Sequence, residues 1–466
     1  MHPGELESRS SIALGKWGVL LAVGVGGFMS SLDGSVVNTI LPVIRGAFGS
    51  DVASVEWVVT VYLLVVSGLL LSVGRLGDMR GNKSVYVGGF AGFVLASALC
   101  GLTPSVPALV VFRGLQAVAA SMLFANAPAI LTKNFPASQR GQALGLQSAM
   151  IYLGLTAGPS LGGWLATLLG WRSVFYINVP VGLLALLLSQ RFIPPDVVTR
   201  DTEPFDLAGA GTFILGLVAF LLALNQGFSW GWASWPILSL LATAALALIV
   251  FVTIERHAPY PMLDLSLFRR RLFAASTASA LLNYMGLYGI VFLLPFYLIQ
   301  GRGLTPMAAG ILLTAQPVAM AIVAPISGTL SDRIGSRLPS SLGMLILAAG
   351  IVLLSRLGPQ SPLTMATVGL AVAGVGTGIF VSPNTSALMG SAPHERQGIA
   401  SGVLATARNV GMVTGVGMAG AILTTILARS EMAGSSAALY DGVTLGLLAA
   451  AGAAALGAIT SLARGS

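Results

Sequence analysis

The sequence predicts an all-α protein that crosses a membrane many times, and three observations carry that prediction. Hydrophobic residues make up 55% of the 466 positions and charged residues only 9%, against about a quarter charged in soluble domains. The mean hydropathy is +0.87. Apolar stretches near the ~20 residues that a helix needs to cross ~30 Å of hydrocarbon recur from end to end. So few charges cannot cover a water-soluble surface of this size, and disordered chains have the opposite composition, charge-rich and apolar-poor. The single cysteine, Cys100, permits no intrachain disulfide. His2, His257 and His394 are far apart in the chain, so no metal site or cofactor is expected.

Fourteen apolar segments follow one another: about 17–41, 55–75, 85–103, 107–133, 141–168, 172–190, 207–225, 236–254, 272–299, 306–330, 339–357, 363–389, 398–427 and 442–462. The first has no A-x-A cleavage site and is followed by many more spans, so it is a helix rather than a signal peptide. With the N-terminus inside, 17 of the 24 basic residues fall on the cytoplasmic side and five outside. Arg113 and Arg408 lie within segments. This bias predicts cytoplasmic termini and an even span count. The net charge of +8 is therefore topological, and no nucleic-acid partner is expected. The expected surroundings are the lipid bilayer of the cell's plasma or inner membrane.

The chain repeats itself. Gly74-Arg-Leu-Gly-Asp78-Met-Arg-Gly81 matches Gly328-Thr-Leu-Ser-Asp332-Arg-Ile-Gly335 at an offset of 254. Pro136, Gly141, Gly154 and Gly158 match Pro393, Gly398, Gly411 and Gly415 at an offset of 257. The repeat predicts two six-helix bundles, at 1–200 and 261–466, with two extra helices inserted at 201–260. Paired bundles around a midplane site are an architecture of alternating-access carriers.

Several residues stand out against this apolar background. Asp33 is the one carboxylate placed deep in a segment; it must pair, face a wet cavity or hold a proton. Reversible protonation is what a proton-driven carrier requires. Arg113 keeps its charge and serves to stabilise a nearby anion, with Gln116 on the same helical face at i+3. Asp78 sits where it could cap a helix N-terminus, beside Gly74 and Gly81, which permit close approach and a tight turn. Arg75, Arg80 and Lys83 are its expected charge partners, with Asp332 in a matching but weaker role. Gly154, Gly158 and Gly162 share one face and invite close helix packing. Pro159 breaks the hydrogen-bond ladder beside them. Candidates for a substrate cavity are Asn38, Trp57, Tyr62, Gln116, Asn126, Gln147, Asn283, Tyr284, Tyr288, Gln316, Asn384 and Arg408. The inserted segments, 207–225 and 236–254, contain no charge and are expected to carry no chemistry.

Taken in order along the chain, these motifs resemble the major facilitator superfamily and, within it, the fourteen-span branch of drug:proton antiporters. Leu32-Asp33…Asn38…Leu41-Pro42 resembles that branch's first-helix motif. Gly74–Lys83 resembles the loop 2–3 signature, with Asn82 where a basic residue is usual. Arg113-Gly114-Leu115-Gln116 resembles the fourth-helix proton-coupling motif, with Ala117 in place of glycine. Gly154…Gly158-Pro159…Gly162-Gly163 resembles the antiporter motif of the fifth helix. Trp171-Arg172…Asn178-Val-Pro180-Val-Gly182 and Leu263-Asp264…Leu267-Phe268-Arg269 add to the likeness to that branch. The resemblance implies proton coupling through Asp33 and Arg113, and a cytoplasmic gate at Gly74, Asp78, Arg80, Gly81, Lys83 and Asp332. It also implies export of amphipathic, lipophilic small molecules in exchange for protons, driven by the proton gradient without a cofactor, by a monomer. A dedicated exporter of one metabolite or antibiotic is the alternative, and an uptake proton symporter is a more distant one. No catalytic constellation, nucleotide loop or selectivity-filter repeat points to an enzyme or a channel.

Overall fold

The computed structural model describes residues 3–196, 203–431 and 438–464. The expected bundle boundary at 200/201 and the basic residue Arg200 lie outside these. The described residues form helices and no strand. The first half holds α1 (Pro3–Phe48), α2 (Val52–Arg80), α3 (Asn82–Leu102), α4 (Val106–Asn134), α5 (Arg140–Leu169) and α6 (Ser173–Phe192). The second holds α7 (Leu207–Trp230), α8 (Trp235–His257), α9 (Arg271–Pro295), α10 (Pro306–Ile334), α11 (Arg337–Ser355), α12 (Leu363–Ser391), α13 (Gln397–Glu431) and α14 (Ala438–Leu462).

Among the described residues, thirteen helices are long and apolar enough to cross a membrane, where fourteen were expected. The one that falls short is α5, and composition is the reason. At 30 residues it is long enough, but Gln142, Gln147, Ser148, Tyr152, Thr156 and six glycines dilute its hydropathy. Much of that small and polar face is turned to protein. A Cβ on Gly154 would sit 2.5 Å from the Phe28 carbonyl oxygen, one on Gly158 2.5 Å from Ser35 Oγ, and one on Gly162 2.7 Å from Val36 Cγ1. The contacts climb both helices together, so α5 runs parallel to α1 with the two backbones nearly touching.

The chain divides into two compact units. The first comprises Met1–Phe205 with Ala392–Val403, and the second Asp206–Ser391 with Leu404–Ser466. The inserted helices α7 and α8 fall in the second unit rather than standing apart. They pack on each other, with Phe213 and Phe251 rings 5.1 Å apart. The expected lack of charge in this pair needs correcting: Glu255, one residue past the expected segment, is buried at the end of α8 and accepts the Leu263 N–H at 3.0 Å. It thereby holds the chain as it leaves α8.

Prolines inside helices free a carbonyl four residues back, and at Pro159 and Pro383 a neighbouring side chain takes up the bond. Ser35 donates to the Leu155 carbonyl released by Pro159, at 3.0 Å. Ser327 donates to the Ile379 carbonyl released by Pro383, at 2.6 Å. In hydrocarbon an unpaired carbonyl would cost several kcal/mol. Pro159 and Ser35 are thus one device: the break in α5 is sealed by α1.

Candidate functional site

The polar residues of the first unit assemble at two places. The first is a closed cluster drawn from five helices. Asp33 on α1 is 1% exposed and accepts from Arg113 Nη1 at 2.7 Å, Asn178 Nδ2 at 2.7 Å and Gln116 Nε2 at 3.1 Å. Arg113 on α4 is also 1% exposed. Its Nη1 donates to Gln116 Oε1 at 2.6 Å, and its Nε donates to the Val58 carbonyl of α2 at 3.3 Å. Tyr62 lies with its ring centroid 4.2 Å from the guanidinium carbon. Gln116 also donates to Ser97 Oγ of α3 at 2.7 Å.

The helical spacing explains the geometry. Arg113 and Gln116 at i, i+3 present both side chains to one point, and the carboxylate of α1 occupies it. An anion and a cation buried together retain their charges only if geometry and extra hydrogen bonds offset desolvation. Asn178 and Gln116 supply those bonds. The shared carboxylate ties α1, α4 and α6 together through Asp33, Arg113 and Asn178.

Asn178 was visible only as part of the Asn178-Val-Pro180 motif and was not among the expected site residues. An amide within the largely apolar sixth segment was the available signal. Asn38 and Trp57, expected as cavity residues, are exposed and take no part in the cluster. Gln147 is buried on α5.

The second place is the end of α2. Asp78 Oδ1 accepts the Gly398 N–H at 2.7 Å and Oδ2 accepts the Ile399 N–H at 2.8 Å, capping the start of α13. Close backbone approach makes this possible. A Cβ on Gly402 would lie 2.7 Å from the Leu70 carbonyl oxygen, and a Cβ on Gly74 would overlap the Gly398 carbonyl. Gly81 turns the chain from α2 into α3 at φ +91°, a conformation that side chains rarely adopt.

Arg75 lies close enough to act on the Asp78 charge, as expected, while the direct pairs around this turn are others. Arg75 is buried and pairs with Glu203 at 2.7 Å. Arg80 is exposed. Lys83 Nζ donates to the Gln190 carbonyl at 3.1 Å. Asp196, beyond α6, accepts the Lys83 N–H at 2.8 Å and approaches Lys133 Nζ at 3.5 Å. Asn82 is fully buried, donating to Asn126 Oδ1 at 2.8 Å and accepting from Lys133. Asn126 is therefore occupied by the α2–α3 turn rather than by a cavity. Asp332, the second-copy residue, is half-buried in the last turn of α10.

In the second unit the candidates scatter. Asn384 donates to the Ser276 carbonyl at 3.1 Å and accepts from Arg464, beyond the end of α14. Asn283 is buried with its Nδ2 3.2 Å from Met344 Sδ, and Gln316 is buried on α10. Tyr284 and Tyr288 stand 6.5 Å apart on α9. Arg408 of α13 donates to Thr385 Oγ1 at 2.7 Å and lies 5.6 Å from the Tyr284 ring. The repeat's matching glycines persist here: a Cβ on Gly415 would meet the Met285 backbone and one on Gly411 the Leu281 backbone.

Polytopic helices, an internal repeat and buried ionisable groups at bilayer depth describe a membrane transporter. The chain belongs to the Major Facilitator Superfamily, whose pattern matches residues 23–416. It is 35% identical over 403 residues to the riboflavin transporter RibZ of Clostridioides difficile, covering 86% of each chain. It is 34% identical to the multidrug resistance protein Stp of Mycobacterium tuberculosis, covering 88% of this chain and 76% of that one. Its fold is similar to that of the human organic anion transporter MFSD10 (TETRAN), with a TM-score of 0.69 at 16% identity, covering 96% of this chain and 99% of that one. The protein is thus a multi-pass membrane transporter of small molecules and not an enzyme.

Proposed function

We propose that this transporter exports amphipathic small molecules in exchange for protons, as a member of the fourteen-span drug:proton antiporter branch. The observation that carries this reading is the buried Asp33–Arg113 pair with its amide ligands Asn178 and Gln116. An intramembrane ion pair of this kind is a functional site by default. It offers one carboxylate to be loaded and unloaded, held by a cation that sets how readily the proton leaves. The Gly154–Gly163 face, Pro159 included, is the antiport element, and the Asp78 cap on α13 is the cytoplasmic gate. Both termini are cytoplasmic, in the plasma or inner membrane, and the monomer is the working unit. The likeness to a multidrug resistance protein supports export.

A second reading, a carrier dedicated to one metabolite, is favoured by the likeness to a riboflavin transporter. The test is transport in proteoliposomes under an imposed pH gradient. Substrate should accumulate against its own gradient only while the pH gradient lasts, and Asp33→Asn should abolish this. Gradient-driven transport by Asp33→Asn at the wild-type rate would overturn the assignment. A panel of unrelated lipophilic substrates separates the two readings, since a dedicated carrier moves one of them.

A further inference from the structure

Arg408 is a second cation at bilayer depth, and its environment differs from that of Arg113. It lies eleven residues into α13, about 16 Å along the axis, near the middle of a ~30 Å hydrocarbon layer. Among the described residues no carboxylate lies within ion-pair distance of it. Its Nη2 reaches Thr385 of α12 and its guanidinium faces Tyr284 of α9, so the side chain points into the second unit rather than to lipid. Its buried Nε has no hydrogen-bond partner among the described residues, and the residue as a whole is only half-buried. A partly exposed arginine at this depth cannot face hydrocarbon at acceptable cost, so its open side calls for wet surroundings.

The repeat shows that packing does not demand this charge. At the 257 offset, the first-half counterpart of Arg408 is Ile151. The backbones of α13 and α9 touch at Gly411 and Gly415, as those of α5 and α1 do at Gly154, without an arginine in the first half. What Arg408 adds is a fixed positive charge beside the Tyr284 ring.

Resting on the export reading above, we propose that Arg408, with Tyr284 and Thr385, receives the anionic end of an amphipathic aromatic substrate. The guanidinium supplies charge-assisted hydrogen bonds to a carboxylate or phenolate. Thr385 fixes its orientation, and the Tyr284–Tyr288 pair, its rings tilted by 36°, gives the aromatic body an aromatic flank. The site's preferred cargo is then an organic monoanion, and a matched organic cation is repelled.

The test uses pyrenebutyrate and a pyrenebutyl trimethylammonium compound, which share a ring and chain and differ in charge. Equilibrium binding is read by fluorescence on purified protein in nanodiscs of zwitterionic lipid, with empty discs subtracted. The wild type is expected to bind the anion at least fivefold more tightly than the cation. Arg408→Gln is expected to shift that ratio at least fivefold towards the cation, and Arg408→Lys to restore part of the preference. A wild-type preference for the cation, no saturable binding of the anion, or a smaller shift in folded Arg408→Gln overturns the proposal. If Arg408→Gln does not fold, Thr385→Val takes its place: a shift of at least twofold in the same direction supports the site, and a smaller one overturns it. Binding is measured without a gradient, so failure of proton coupling in proteoliposomes leaves this result standing. The converse also holds, and the two failures are distinguishable.

Discussion

Replacing Asp33 by asparagine keeps the shape of the side chain and removes its charge. Arg113 would then lie buried, 1% exposed, with only carbonyl and amide oxygens around it. Breaking a buried pair from one side costs about 3–5 kcal/mol, because the surviving charge stays desolvated. Arg113→Gln should cost a similar amount from the other side, and it also removes the contact with Tyr62 at 4.2 Å, about 0.5–2 kcal/mol. The double variant Asp33→Asn/Arg113→Gln leaves no buried charge, and amide–amide bonds to Asn178 and Gln116 can persist. It should therefore cost less than either single change, because no desolvated charge is left behind. Thermal unfolding in lipid nanodiscs, followed by tryptophan fluorescence, checks the ranking: wild type, then the double variant, then the two singles. All three variants should be inert in pH-gradient-driven transport, so the double variant would be folded and inactive. An Asp33→Asn protein that melts with the wild type, or a double variant that loses the full sum, would refute the coupling.

Other consequences can be measured directly. Asp78→Ala removes two charge-assisted bonds to the start of α13, about 1.5–3 kcal/mol each. It should slow transport severalfold while changing equilibrium substrate binding less than twofold; loss of binding with an intact rate would contradict the gating role. Gly158→Ala places a methyl within 2.5 Å of Ser35 Oγ, whereas a Cβ on Gly163 meets nothing within 4 Å, so the first should lower the melting temperature and transport and the second neither. Gly81→Val must hold φ +91° against Asp196, and it should express poorly or melt early, as measured by fluorescence-detected gel filtration. With one proton exchanged per substrate, a neutral substrate imports one charge and an organic anion two, so membrane potential should add about 2.3 and about 4.6 kcal/mol per 100 mV respectively. Transport of the anion that ignores a valinomycin-set potential would rule out that stoichiometry.

The sequence by itself determined the class of fold, the order of the apolar segments, and the repeat. These follow from composition and period, and the bilayer imposes them locally on every span: each must be apolar, about 20 residues long, and satisfied in its own backbone bonds. It also marked Asp33, Arg113 and Asp78, because a charge in hydrocarbon is conspicuous wherever it falls. Tertiary structure decided which charges meet. Arg113 reaches Asp33 across 80 positions and Asn178 reaches it across 145. Arg75 turns to Glu203 and Lys133 to Asp196, while Arg80 remains exposed. Asn38 and Trp57 carried the same polar or aromatic signal as Tyr62, and only packing put Tyr62 on the arginine and the other two on the surface. Partner choice depends on which faces of which helices touch. In this chain much of that is set by glycines such as Gly74, Gly154 and Gly158, whose missing side chains let two backbones close, and a glycine does not reveal in sequence which helix it will admit.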